Sequence, residues 1–135
     1  MKAYLTPSGS SRPTLIVVTR QEVGEAAENE MRKELYGRGC PNGLLFDSSS
    51  CRVFRDTFDG TGPQDIVLET TLKTDEVLAL VSGENLDKRV ASWVELLATS
   101  WQHAISAEHP ETNRLLYDVM PAAVGNEIYY LREAP

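Results

Sequence analysis

The chain has little of what metal, redox or thiol chemistry needs. Only two of its 135 residues are cysteine and two are histidine. Cys40 follows a predicted helix and Cys51 opens a predicted strand. They are not in C-x-x-C spacing and have no histidine beside them, so two reduced thiols with a packing role are expected. His103 lies in a helical pattern and His109 precedes Pro110, with only Glu108 and Asp118 near them in sequence. Neither has a thiol or second ligand at hand, and both read as surface or capping residues. No apolar run approaches the ~20 residues that span a bilayer. The first residues, Met1 to Pro7, carry no apolar stretch of signal-peptide length, so a cytoplasmic location is expected. Cations are also scarce: 13 Lys and Arg stand against 20 Asp and Glu, a net charge of −7. They are scattered, the nearest groupings being Arg32-Lys33, Arg52 with Arg55, and Lys88-Arg89. That weakens a nucleic-acid role, which draws its affinity from clustered cations.

The length suits a single domain over residues 1–135, large enough to bury a core without disulfide or metal support. Leu15 to Thr19 is a continuous apolar, β-branched run, the pattern of a strand buried on both faces. Ala3-Tyr4-Leu5 ahead of it reads as a short edge strand, and residues 6–13 as a loop. Glu22 to Arg38 reads as a helix, with Val23, Ala27, Met31 and Leu35 forming one apolar stripe. Its carboxylates lie early and its cations late, which complements the helix dipole. Gly37, Gly39 and Pro41 stop it. Gly43 to Phe46 and Cys51 to Arg55 then form a hairpin about the turn Asp47-Ser48-Ser49-Ser50. Ile66 to Thr71 is a further strand.

Thr74 is placed to cap a short helix through about Val81. The strongest helical pattern follows: Leu86, Val90, Trp93, Val94, Leu97, Trp101, Ala104 and Ile105 share one broad face. Another helix starts at Pro110 and ends at Pro121, and Glu127 to Arg132 reads as a last strand. The fold expected is therefore α/β of the α+β kind: a mixed sheet with a strand–helix–strand–hairpin core over about 14–72, flanked by helices. A helical C-terminal part over about 74–122 and a final strand over 127–132 complete it.

The order from Pro13 to Asp56 resembles the PD-(D/E)XK nuclease-like fold. It is closest to the N-terminal domain type of restriction-enzyme R subunits and to small bacterial proteins of that kind. The matching pieces are Leu15-Ile16-Val17-Val18, the helix end Arg32-Lys33-Glu34-Leu35-Tyr36-Gly37, the stretch Cys40-Pro41-Asn42-Gly43-Leu44-Leu45-Phe46-Asp47, and Arg52-Val53-Phe54-Arg55. Val90 to Leu97 and beyond is similar to the helical tail of such proteins. The resemblance implies a site of two or three carboxylates holding Mg²⁺, with a lysine two residues past a strand carboxylate and on the same face.

In this chain the corresponding pairs are Val17 with Thr19, or Val18 with Arg20. Neither valine can bind a metal, and arginine is not a base at ordinary pH. The upstream carboxylate is missing too, since residues 1–13 hold no Asp or Glu. No catalytic residue, metal ligand or cofactor is therefore assigned, and the chain is not expected to be an enzyme.

Other constellations are weaker. Asp47, Asp56, Asp59 and Asp65 could gather about a cation, but they match no known loop spacing and suit turns. Glu22 and Glu25 suit a helix start. Ser48 to Ser50 lack the context of a nucleophile elbow, and Gly60-Thr61-Gly62 lacks the lysine of a phosphate loop. Trp93 and Trp101 could anchor a partner, though core positions suit them better. Two functions follow as expectations. In one, a nuclease-like domain without a working site serves as a protein-interaction or assembly module, as a homodimer or with a protein partner. In the other, Arg20, Arg52 and Arg55 lie on one side of the sheet and a residual nucleic-acid-binding or metal-dependent nuclease role survives.

Overall fold

The computed structural model describes residues 1–7, 9–100 and 129–133. It contains a mixed sheet flanked by helices, an α+β architecture. Strands β1 (Lys2–Pro7) and β2 (Leu15–Thr19) precede helix α1 (Glu25–Arg38). Strands β3 (Asn42–Phe46), β4 (Ser50–Arg55) and β5 (Val67–Lys73) follow, with a 3-10 turn at Pro63–Asp65 before the last of them. Helices α2 (Thr74–Val77) and α3 (Leu86–Ser100) and strand β6 (Tyr129–Glu133) complete the described chain. The sheet order is β5-β4-β3-β2-β1-β6. Only β2 and β3 run parallel, across the α1 crossover; every other neighbouring pair is antiparallel.

Strand alternation divides the core in two. Leu15, Val17, Leu44, Phe46, Cys51 and Val53 face α3 and pack with Val90, Trp93, Val94 and Leu97. Ile16, Val18, Leu45 and Phe54 face α1 and pack with Met31 and Leu35. Both faces of β2 and β3 are therefore buried, as the unbroken apolar run of β2 requires. Trp93 belongs to this core, meeting Phe46 edge-on with ring centroids 6.0 Å apart. Two glycines set the fit of α1. Gly39 adopts φ 61° and ends the helix, as its amide and that of Cys40 bond Tyr36 O and Leu35 O. Gly43 lets α1 approach β3: a Cβ there would lie 2.6 Å from Met31 Sδ.

Several boundaries differ from the sequence expectation. Helix α1 starts at Glu25 rather than Glu22, because Gly24 is extended at the N-cap and leaves Glu22 ahead of the helix. Strand β1 runs to Pro7, shortening the loop, and it is not an edge: β6 pairs with it from Ala3↔Glu133 to Pro7↔Tyr129. Thr74 does not cap α2. It is the first helical residue, and its hydroxyl donates to Asp47 O at 2.8 Å, tying α2 to the hairpin turn. The helix ends at Val77, short of Val81. Residues 101–128, which include Trp101, His103, His109 and the helix expected from Pro110, lie outside the described residues.

Candidate functional site

Open α/β sheets place their crevices outside the carboxyl ends of parallel strands. Here β2 and β3 are the parallel pair, and a cavity of about 540 Å³ lies beyond their ends. Thr19 lines it from the end of β2, Arg20 and Gln21 from just beyond it, Ser48 from the turn after β3, and Asn85 and Asp87 from the start of α3. The Asn85 side chain accepts the Lys88 amide at 2.9 Å and so caps α3. Asp87 sits in the first turn, where the helix dipole favours a carboxylate.

Thr19 is the pivot of this end. Its side chain is buried and its hydroxyl donates to Asp87 Oδ1. The α-amino group of Met1 donates to Thr19 Oγ1 at 2.8 Å and lies 3.8 Å from Asp87 Oδ2. Asp87 thus brings a carboxylate to the strand end from 68 residues further along the chain. The sequence pattern did not single it out. Its only signal was a carboxylate in the first turn of the strongest helix.

The four positions corresponding to the nuclease motif separate. Val17 is wholly buried on the α3 face, and Val18, 5% exposed, on the α1 face. Thr19 and Arg20 reach the cavity. Arg20 pairs with Glu30 at 3.1 Å and also walls a second cavity of about 300 Å³ between α1 and the sheet. Among the described residues no group of three His, Cys, Asp or Glu could hold a metal ion.

The three arginines proposed for nucleic acid do not share a face. Arg52 lies on the α1 face and donates to Val23 O at 3.0 Å. Arg55 follows the alternation of Cys51 and Val53 on the other face, and pairs with Glu69 at 3.6 Å. Arg20 turns toward α1.

The acidic residues of the loops take turn roles. Asp47 Oδ1 accepts the Ser49 and Ser50 amides at 2.8 and 2.7 Å and both hydroxyls. Burial pushes its carboxyl up, but the combined bonds from Ser50 and Ser49 outweigh that and hold its pKa below the ordinary aspartate value. Asp56 accepts the Phe58 amide and Asp65 the Thr61 amide, each at 2.9 Å.

Both thiols are free and buried. Burial pushes Cys40 up to about 12 and raises Cys51 further. A polar cluster on the α1 face is structural: Tyr4 donates to Glu34, which also accepts Arg38 Nε at 2.7 Å and lies 3.6 Å from Lys2 Nζ. Burial, with the Glu34 carboxylate second, raises Tyr4 to about 12.

Among the described residues no helix is long and apolar enough to cross a membrane. Comparison with protein-family models, with curated proteins and with solved structures finds no match to the chain.

Proposed function

We propose that this chain is a nuclease-like domain without a catalytic centre, serving as a protein-interaction or assembly module, as a homodimer or with a protein partner. The observation that carries this is the burial of Val17 and Val18, one in each core layer. The strand that would have to present a metal-binding carboxylate spends both faces on packing instead. Thr19, two residues on, gives its hydroxyl to Asp87. Asp87 is the one carboxylate among the cavity's lining residues, while magnesium sites of this class use two or three oxygen ligands from the protein.

The separation of Arg52 and Arg55 to opposite faces also favours assembly over nucleic-acid binding. The outer edge of β5 is unpaired among the described residues, and Val67, Glu69, Thr71 and Lys73 lie along this strand. A strand edge of this kind can pair with a second copy across a twofold axis. The test is calorimetric titration of EDTA-stripped protein with Mn²⁺, followed by sedimentation over a concentration series. No stoichiometric heat and a concentration-dependent mass, or a defined protein complex, are expected. Stoichiometric metal binding accompanied by cleavage of DNA or RNA would overturn the proposal.

A further inference from the structure

The loop between β4 and β5 and the end of α1 together present two exposed aromatic rings beside a carboxylate. Phe58 is 59% exposed and Tyr36, from the last turn of α1, is 47% exposed. Together with Asp56 and the glycines Gly39, Gly60 and Gly62 they line a cleft of about 120 Å³. The glycines contribute no side chains, so nothing from them covers the rings. The volume suits the end of one side chain rather than a cofactor or a whole peptide.

The loop is braced in this form. The Asp56 amide bonds Pro41 O, and Asp56 Oδ1 accepts the Phe58 amide. Tyr36 donates its hydroxyl to Thr61 O at 3.1 Å, and Asp65 holds the Thr61 amide. These bonds keep Phe58 at φ 61°, a left-handed conformation that a bulky residue seldom adopts. A large apolar ring is thus held outward, in a strained backbone, by its own surroundings.

We infer that this cleft binds an arginine side chain projecting from a partner polypeptide. A guanidinium is flat and weakly hydrated, and it stacks on aromatic faces while bonding a carboxylate. Asp56 Oδ2 makes no hydrogen bond or ion pair among the described residues and completes such a site. Asp59 and Asp65 add negative charge on the same loop, and the chain as a whole carries −7. Arg12 stands at the Gly39 side of the cleft, where its Nη1 would lie 3.8 Å from a Cβ at Gly39.

Two cations of α1, Arg32 and Arg38, are committed elsewhere. Arg38 stacks on Tyr4 at 4.4 Å and bonds Glu34, and Arg32 stacks on Phe54 at 5.3 Å and bonds Ile66 O. Pairing of this loop with the same loop of a second copy is disfavoured, because both are acidic.

The inference rests on the interaction-module reading and names the chemistry of that module's partner. The test is a ¹⁵N–¹H correlation titration of the full chain with the blocked peptide acetyl-Gly-Arg-Gly-amide. The same peptide with lysine, and with neutral citrulline, in place of arginine serve as comparison arms. Saturable shifts confined to 36–39 and 56–62 are expected, strongest for arginine and lost with citrulline. Asp56→Asn, which keeps an oxygen for the Phe58 amide, and Phe58→Ala should each weaken binding about two- to fivefold, the scale of one exposed ion pair and one exposed cation–π contact respectively. Preserved signal dispersion in both variants reports an intact fold. Absent shifts, equal shifts with citrulline, or shifts unaffected by Phe58→Ala would overturn the assignment. The module reading would survive that result if metal binding were still absent, and would fall separately if metal and cleavage were found.

Discussion

Replacing Val17 by aspartate would supply a carboxylate at one of the strand positions where the nuclease resemblance asks for one, and the structure predicts that it breaks the domain instead. Val17 is wholly buried and sits between Ala3 of β1 and Leu44 of β3 in register. The core cluster that contains it is apolar apart from the Cys51 thiol and the indole N–H of Trp93. Losing the apolar side chain costs about 1.5–3 kcal/mol. A carboxyl group in such a place stays neutral by raising its pKa by about 3–5. At about 1.36 kcal/mol for each unit, the ~3 units between the unfolded aspartate value and pH 7 cost about 4 kcal/mol, because the folded group stays neutral while the unfolded one ionises. The total, about 5–7 kcal/mol, rivals the whole stability of a domain, about 5–15 kcal/mol.

The sign with pH follows from the raised folded-state pKa. The deficit is smallest below the unfolded aspartate value of ~3.9 and grows as pH rises toward the folded value. Urea denaturation of Val17→Asp and Val17→Asn at several pH values checks this, since the asparagine variant shares the polar penalty but not its pH slope. A Val17→Asp protein within about 1 kcal/mol of the parent at pH 7 would refute the reasoning. So would one stabilised by Mn²⁺.

Other perturbations have defined outcomes. Asp47→Ala should destabilise by about 1–2 kcal/mol, because several donors lose a charged acceptor in a partly exposed turn. Since the Asp47 pKa is depressed in the fold, this contribution is present above the ordinary aspartate value and is lost as pH falls through the lower folded one; urea midpoints of the two proteins should converge in acid. Tyr4→Phe should cost about 1 kcal/mol by removing the bond to Glu34, which is partly open to solvent. Because Tyr4 is raised to about 12, the parent loses that advantage as pH climbs from the ordinary tyrosine value through 12, and thermal melts in alkali should show it. Neither Cys40 nor Cys51 should react with a thiol reagent in the native protein, and both should react in urea; fast native labelling would contradict their burial.

Local pattern carried much of the fold. The unbroken run from Leu15 to Thr19 could only be a strand covered on both sides, and α1 and α3 supply the two covers. The Asp47 turn and the stop at Gly39 were legible because their bonds are made within a few residues. Trp93 was legible as core because its helix repeats every three to four residues.

What lay between distant segments was not legible. That β1 is interior depends on β6, which comes more than 100 residues later in the chain. That Arg52 and Arg55 diverge, by contrast, needed only strand parity, since three residues are an odd step along β4. Asp87 reaches Thr19 only because α3 packs across the sheet with its first turn over the end of β2. Among the described residues the sequence by itself determined which segments are strand and helix, though not all their bounds, since those depend on short-range bonds and hydrophobic period. Only the tertiary structure decided which side chains share a cavity and which of them remain free to bind, since that depends on the order of strands and on contacts no local pattern encodes.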